Sequence, residues 1–261
     1  MNHTLHARLA LAIGLGFGLG AGTASAASTQ GQFEVLNFSY VVSGGGSLSW
    51  LAGSGYQTLT VESVEAGGLG GNDVADSLDF ALTDTALSTA MPHASASSWA
   101  SAAGLLGGSS GATLTGGDPT SDPHTALATA QQAMEFSLSQ AGTVSFTVDY
   151  RLSATAPAGD SLYSYASAGL AFWAGAYGGS DDSAQAELFS FHTADGQSAQ
   201  TGSFTLTVAL AGPDDVGYYD LRGNSFASAV SAVPEPGSWT LMLAGVGMVG
   251  LLRRRRAEVA L

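Results

Sequence analysis

The stretch TVSFTVDYRLS at residues 143–153 alternates apolar and polar side chains with a strict period of two. Successive side chains of a β-strand point to opposite faces, so this pattern is typical of a strand with one buried face. The apolar face would hold Val144, Phe146, Val148, Tyr150 and Leu152, and the polar face Ser145, Thr147, Asp149 and Arg151. The segment therefore predicts a half-buried strand.

Two other segments, AMEFSLS at 133–139 and SFTLTVAL at 203–210, repeat the alternation and predict two more half-buried strands. The first of them is joined to the 143–153 stretch by SQAGT, a short connection with one glycine, and this predicts a β-hairpin. The apolar faces of the two segments hold Met134, Phe136, Leu138, Phe204, Leu206, Val208 and Leu210.

Weaker strand signals occur in five more segments, and eight or so strands with turn-rich connections favour an all-β fold. We expect an antiparallel β-sandwich or jelly-roll-like ectodomain. In the segment QFEVLNFSYVV the alternation of apolar residues changes parity near Leu36 and Asn37, and this change predicts a β-bulge. The segments are QFEVLNFSYVV, YQTLTVESV, SLYSYASAGLAFW, ELFSFH and GYYDLRGNSF.

The region 66–130 has few large apolar residues and many turn formers. We interpret it as a loop-rich insertion of long Gly-, Ser- and Ala-rich loops, with a short helix near 97–106. Loops of that size are either functional or disordered.

The charge of the segment between the two termini is strongly negative. Residues 27–232 hold 19 acidic residues against Arg151 and Arg222, a formal charge of −17, and the chain has no lysine. Such a surface disfavours binding to nucleic acid, because no cationic side chains are available to displace counterions from phosphates. The chain also lacks cysteine, which excludes disulfides, thiol catalysis and cysteine metal sites.

Acidic residues and histidines are the candidates for metal ligands. The aspartates could supply oxygen ligands for calcium, but no EF-hand loop or glycine–aspartate repeat is present. We therefore predict solvated acids in turns and no cofactor. The three histidines lack zinc spacing and are expected in loops or at the surface. The residues are Asp73, Asp76, Asp79, Asp181, Asp182, Asp214, Asp215, His93, His124 and His192.

Two short strings resemble hydrolase motifs. GDSL at 159–162 spells a nucleophile signature of lipases and esterases, but no Asp-x-x-His follows it to supply a base for Ser161. GGSSG at 107–111 matches G-x-S-x-G around Ser109, but its setting is typical of a low-complexity loop rather than a strand-to-helix turn. The sequence therefore predicts no enzyme, with a secreted hydrolase as the weakest alternative.

Aromatic residues leave a binding function open, because such side chains on a sandwich can stack against sugar rings. More often they belong to the core or its rim. The candidates are Trp50, Trp99, Trp173, Tyr163, Tyr165, Tyr177, Tyr218 and Tyr219.

The first 26 residues have the three-part pattern of a secretory signal peptide. A short polar start with Arg8 is followed by an apolar segment over about 9–22. Ala24 and Ala26 then form a small-x-small site, which predicts cleavage before Ala27. The ectodomain is therefore expected over 27–232.

The C-terminal residues 233–261 have the features of a sorting signal. The triplet Pro-Glu-Pro precedes an uncharged, mostly apolar segment at 238–252, and this segment predicts a short transmembrane helix. Four arginines end the segment and favour a cytoplasmic end. The motif consists of Val233, Pro234, Glu235 and Pro236, and the basic stop of Arg253, Arg254, Arg255 and Arg256.

This tail resembles the PEP-CTERM sorting domain of exported proteins of Gram-negative bacteria. The resemblance covers 234–256 and rests on the ordered occurrence of the Pro-Glu-Pro triplet, the apolar span and the arginine cluster. It implies recognition by exosortase, a membrane-embedded transpeptidase, and cleavage at or near Pro234–Pro236. It also implies signal peptidase as a partner, transient residence in the inner membrane, and delivery to the cell surface or exopolysaccharide matrix.

Two classes of function remain from the sequence. The leading hypothesis is a structural surface or biofilm-matrix protein. The alternative is a carbohydrate-binding β-sandwich module that ties cells to their own exopolysaccharide.

Overall fold

The computed structural model describes residues 27–65, 71–114, 123–156, 164–190 and 197–230. Every regular element in these ranges is a β-strand. The strands are β1 (Ala27–Ser43), β2 (Leu48–Trp50), β3 (Tyr56–Val64), β4 (Asn72–Asp79), β5 (Thr85–Ala90), β6 (Ala94–Ala100), β7 (Leu106–Leu114), β8 (His124–Leu138), β9 (Gly142–Thr155), β10 (Tyr165–Ala176), β11 (Asp181–Ser190), β12 (Gln197–Leu210) and β13 (Val216–Ala229).

The strands form two sheets in which all pairings are antiparallel. The six-stranded sheet has the order β12-β9-β1-β7-β6-β5. The seven-stranded sheet has the order β11-β10-β13-β8-β3-β4, and β2 pairs with β8 beside that path. The all-β antiparallel prediction is confirmed at this level, and the predicted signal peptide and C-terminal helix lie outside the described residues.

The two sheets pack face to face in the manner of a β-sandwich, with the apolar core between them. Phe33 on β1 is fully buried. It packs so closely on Gly223 of β13 that a Cβ added to this glycine would lie 2.2 Å from the Phe33 ring. Phe136 of β8 and Phe146 of β9 meet edge to face, with ring centroids 5.3 Å apart. The core thus joins residues of both sheets, as expected for two sheets packed face to face.

The 143–153 stretch belongs to β9, an interior strand that lies between β1 and the edge strand β12. All five of its predicted apolar residues are buried, and Arg151 on the other face is exposed. The predicted bulge is also confirmed, because the register between β1 and β9 shifts between Val35 and Asn37. The alternating pattern therefore predicted this strand and its buried face correctly.

The predicted hairpin between 133–139 and 143–153 is wrong. β8 belongs to the seven-stranded sheet, where it pairs with β13 and β3, whereas β9 belongs to the six-stranded sheet. Residues 139–141 therefore carry the chain from one sheet to the other. Ser139 helps to fix this crossing, because its backbone N–H donates to the Ser47 carbonyl at 3.0 Å.

The prediction of long loops over 66–130 is also wrong for most of that region. It contains β4 to β7 and the first half of β8, and the predicted helix at 97–106 is replaced by the end of β6, a tight turn and the start of β7. The strands were missed because their buried side chains are small. Ala94, Ala96 and Ala128 pack around Val61 where the sheets approach closely, so alanine is large enough to fill the space.

Candidate functional site

The outer face of the seven-stranded sheet carries a row of aromatic and charged side chains. The register pairs Trp173 on β10 with Asp220 on β13, Asp220 with Ala133 on β8, and Ala133 with Tyr56 on β3. Side chains at paired positions point to the same side of a sheet. Trp173, Asp220 and Tyr56 therefore lie side by side, away from the core.

Hydrogen bonds hold the centre of this row in place. The Gln131 Nε2 donates to the Tyr56 hydroxyl at 2.8 Å and to both Asp220 carboxylate oxygens at 3.0 Å. The Arg222 Nε donates to the same carboxylate at 3.1 Å, and the guanidinium lies over the Trp173 ring, 5.1 Å from its centroid. Hydrogen bonding to Asp220 raises the pKa of Arg222. Burial, with the nearby Asp220 charge, raises the pKa of Tyr56.

Two tyrosines extend the row at one end. The Tyr177 and Tyr218 rings lie 5.3 Å apart between centroids. The Tyr177 hydroxyl donates to the Glu135 carboxylate at 2.6 Å, and this bond raises the pKa of Tyr177. The pKa of Tyr218 is raised to about 12, mainly by burial and to a smaller extent by a hydrogen bond to Asp181. We call the set of Tyr56, Gln131, Glu135, Trp173, Tyr177, Asp181, Tyr218, Asp220 and Arg222 the outer aromatic row.

This row can bind uncharged polar rings in a fixed orientation. Tyr177 is 63% exposed, so an apolar ring face can stack on it. The carboxylates beside the tyrosines accept hydrogen bonds from hydroxyl groups. Their positions are already set by the bonds described above, which lowers the entropy cost of binding.

A separate cleft opens between the two sheets. Its volume is about 610 Å³, within the range of small-molecule pockets. The Trp50 ring meets the Tyr40 ring edge to face, with centroids 5.5 Å apart, and lies 5.7 Å from the Tyr219 ring. The side chains that define this aromatic cleft are Phe38 and Tyr40 of β1, Trp50 of β2, Met134 of β8, Tyr219 of β13, and Leu82.

Two turns shape the cleft. In the turn between β4 and β5, the Asp79 carboxylate accepts hydrogen bonds from the backbone N–H groups of Ala81 and Thr83, each at 2.8 Å, and from the Thr83 hydroxyl at 2.6 Å. Leu82 in this turn has a φ of 52°, which is rare for a side chain of this kind. In the turn between β6 and β7, Gly104 has a φ of 85°, and an added Cβ would lie 2.7 Å from the Phe38 ring.

The predicted aromatic candidates do not form one platform. Trp173, Tyr177 and Tyr218 belong to the outer aromatic row, while Trp50 and Tyr219 belong to the aromatic cleft. The other described candidates lie elsewhere, Trp99 against Gly107 and Tyr165 against Phe226, and Tyr163 lies outside the described residues. The sequence analysis did not select Tyr56, Gln131, Asp220 and Arg222. Each of them alternates along its strand with residues of the core, and this alternation could have placed them on the outer face of the sheet.

The predicted acidic candidates mostly lie in turns or at exposed strand positions. The hydrogen bond from the Thr83 hydroxyl, with the backbone bonds of the same turn, lowers the pKa of Asp79. Asp215 closes another turn by accepting from the backbone N–H of Ala211 at 2.6 Å. Within the described ranges, no three carboxylate or imidazole side chains come together as a group that could hold a metal ion.

The expectation that all three histidines are loop or surface residues is wrong for His124. This residue begins β8 and is only 2% exposed. Its ring lies 5.0 Å from that of His93, which is partly buried in the turn between β5 and β6. Burial follows from its place at the inward parity of β8, a strand that was not predicted to extend so far. His192 lies outside the described residues.

The two hydrolase-like strings have different outcomes. Ser109 lies inside β7, between β1 and β6, where its hydroxyl shares a hydrogen bond with that of Ser97 at 2.8 Å. The setting is therefore a strand and not the predicted loop, and it differs from the strand-to-helix turn that a nucleophile elbow needs. The GDSL string at 159–162 lies outside the described residues.

Sequence comparison bears on the C-terminal signal only, and the N-terminal signal peptide stays a prediction. Ala27 begins β1, whereas Ala24, Ala26 and the tail from residue 231 onward lie outside the described residues. A family model of the PEP-CTERM protein-sorting motif matches residues 232–256. The chain carries a PEP-CTERM sorting motif. The match includes the triplet at Pro234–Pro236 and all four arginines.

The PEP-CTERM motif is recognised by exosortase during processing and indicates an exported protein that is sorted at the membrane. No curated protein and no solved structure matches the chain. In the described ranges, no helix has the length and hydropathy needed to span a bilayer.

Proposed function

We propose that this PEP-CTERM protein is a non-enzymatic component of the cell surface or the exopolysaccharide matrix, with a structural role in the biofilm. The observation that carries the proposal is the sorting motif at 232–256, joined to an all-β body of strongly negative charge. A large net charge of one sign keeps a protein soluble and makes its copies repel one another, which suits a hydrated matrix.

The outer face of the six-stranded sheet supports the same role. Hydroxyl side chains of β9 and β12 face solvent in pairs. The Ser145 and Thr207 hydroxyl oxygens are 2.9 Å apart, and those of Thr147 and Thr205 are 3.5 Å apart. Such a face binds water through many weak donors and acceptors, so it remains hydrated among polysaccharide chains.

Processing would occur in two steps. Signal peptidase would cut before Ala27, and the segment 238–252 would then hold the chain in the inner membrane with Arg253–Arg256 on the cytoplasmic side. Exosortase would cut at or near Pro234–Pro236 and release the body to the surface or matrix. The logic is that of other C-terminal sorting signals, which combine a motif, an apolar segment and a polar end.

The intact mass of the protein recovered from envelope and matrix fractions tests this proposal. We expect a C-terminus near Pro234–Pro236, with any extra mass reporting an attached group. The variant Glu235→Ala should accumulate uncut in the membrane fraction, whereas the control Glu258→Ala, beyond the arginines, should be processed normally. A matrix protein that runs from Ala27 to Leu261 would overturn the sorting step.

A second candidate function is carbohydrate binding by the outer aromatic row. The observation that favours it is the exposed Tyr177 ring beside Tyr218 and the ordered carboxylates of Glu135 and Asp181. Tyr177→Ala should weaken retention of the recovered protein on the producer's polysaccharide by about three- to tenfold. Phe80→Ala is the matched control, because Phe80 is 64% exposed and lies outside the row. Equal retention of both variants would refute this function.

A further inference from the structure

The aromatic cleft has a chemistry different from that of the outer aromatic row. Its walls are the rings of Phe38, Tyr40, Trp50 and Tyr219, which come from three strands of both sheets. Among the described residues that line the cleft, none carries a formal charge. The cleft therefore offers no charged partner for a metal ion, a phosphate or a carboxylate.

Two polar groups in the cleft walls have no hydrogen-bond partner among the described residues. Tyr219 is 3% exposed, and its hydroxyl makes no hydrogen bond to any residue that the structure describes. The same holds for the indole N–H of Trp50, as far as the described ranges extend. Neither atom is among the fully buried unpaired polar atoms of the described residues, so both are open to water in the cleft. A ligand with its own hydroxyl groups can bond to them in place of that water.

The uncharged aromatic walls and the two polar groups together restrict the chemical class of the ligand. A purely apolar molecule would match the rings but leave the Tyr219 hydroxyl unpaired. A charged molecule would lose water without gaining a charged partner. A sugar ring has an apolar face that stacks on aromatic rings and hydroxyl groups that donate and accept at its edge.

We infer that the aromatic cleft is a binding site for a single neutral sugar residue. The apolar face of the sugar would lie against the ring of Tyr40, which is 42% exposed and stands edge to face with Trp50, and one of the sugar hydroxyls would bond to the Tyr219 hydroxyl. An anionic sugar is excluded by the charge of −17 on residues 27–232 and by the lack of a cationic side chain among the described residues of the cleft. The site goes beyond the proposed function, since a structural role in the matrix needs no such cleft.

Titration of the protein recovered from the producing cells tests the inference. The probes are methyl β-glucopyranoside, methyl β-galactopyranoside, methyl α-mannopyranoside, N-acetylglucosamine and, as the anionic counterpart, glucuronate. Binding is followed by saturation-transfer NMR and by tryptophan fluorescence. We expect at least one neutral sugar to bind at millimolar concentration or below and glucuronate to fail.

Two conservative variants separate binding from folding. Tyr219→Phe should weaken sugar binding by about two- to tenfold without lowering the melting temperature, because only an unpaired hydroxyl is removed. Tyr150→Phe is the matched control. Tyr150 is 5% exposed, but its hydroxyl accepts from the Gln200 Nε2 at 3.1 Å, so its loss should lower the melting temperature and leave binding unchanged.

Several results would overturn the inference. One is failure of all four neutral sugars to bind the unaltered protein. Another is binding that Tyr219→Phe and Tyr40→Ala leave intact, and a third is tighter binding of glucuronate. Tyr177→Ala should not affect binding in the cleft. The localisation and mass measurements do not depend on the cleft, so failure of this site and failure of the proposed function are distinguishable.

Discussion

The two sheets approach each other closely at Gly31, and the change Gly31→Ala tests what this approach requires. Gly31 lies on β1 and faces inward. A Cβ at this position would be 2.4 Å from the Ser167 carbonyl oxygen and 2.9 Å from the Phe226 carbonyl oxygen. Ordinary contact begins at 3.4 Å, so the nearer oxygen would have to retreat by about 1 Å.

That retreat is difficult, because Ser167 and Phe226 are paired residues of β10 and β13. Neither carbonyl can move alone without disturbing the pairing between the two strands. Overpacking of a well-packed interior typically costs about 1–3 kcal/mol. For a body of about 200 residues this lowers the melting temperature by roughly 2–12 °C.

Gly111→Ala is the matched control, since Gly111 lies on the adjacent strand β7, opposite Gln30. Its added Cβ would meet nothing closer than the Ser95 hydroxyl oxygen at 3.6 Å. We expect this change to be neutral or to stabilise the protein by about 0.4–1 kcal/mol through the unfolded chain. Thermal unfolding of both recovered variants, followed by circular dichroism, makes the comparison. Equal melting temperatures would refute the argument that the sheets are in contact at Gly31.

Further predictions concern pH and local packing. Burial and the nearby Asp220 charge raise the pKa of Tyr219 above its ordinary value of 10.0. The free energy of unfolding should therefore be unaffected by this group below pH 10 and should fall as the pH rises above 10, by roughly 1 kcal/mol per pH unit. Melting curves of Tyr219→Phe should show a weaker alkaline loss. The pKa of Asp79 is lowered below 3.8 by its turn hydrogen bonds, so acid melting curves should show stability lost as pH falls through the lowered value, and Asp79→Asn should reduce this dependence. Phe33→Ala should destabilise the protein by about 3–5 kcal/mol in denaturant unfolding, because it empties the space beside Gly223. Unchanged curves in any of these assays would contradict the assigned contacts.

The period-two pattern predicted the long strands and their buried faces, and it failed where the buried side chains were small. β9 and β12 were predicted from large residues such as Phe146 and Leu206. Two of the buried positions of β6 hold nothing larger than alanine, namely Ala94 and Ala96. Its sequence of alternating alanine and serine is hard to distinguish from the sequence of a loop. The space that makes alanine a sufficient core residue is set by the opposite sheet, so it cannot be inferred from the local sequence.

The candidate sites illustrate the same division. Parity along β13 is enough to separate Tyr218, Asp220 and Arg222 from Tyr219, because alternate residues of a strand face opposite sides of a sheet. It does not tell which strand will bring Trp173 or Tyr56 beside them. That depends on the register of β13 with β10 and of β8 with β3, which joins residues far apart in the chain.

The sequence by itself determined the strands with large apolar residues, the charge of the body and the sorting motif at 232–256. Strand alternation follows from covalent geometry, and a sorting motif is read by its enzyme as a linear segment, so neither needs the rest of the fold. Only the tertiary structure decided that β8 and β9 belong to different sheets, that alanines form part of the core, and that Trp50 meets Tyr219 in one cleft. These outcomes depend on contacts between the sheets, such as that of Phe33 on β1 with Gly223 on β13. The free energy of such contacts exists only once both sheets have formed.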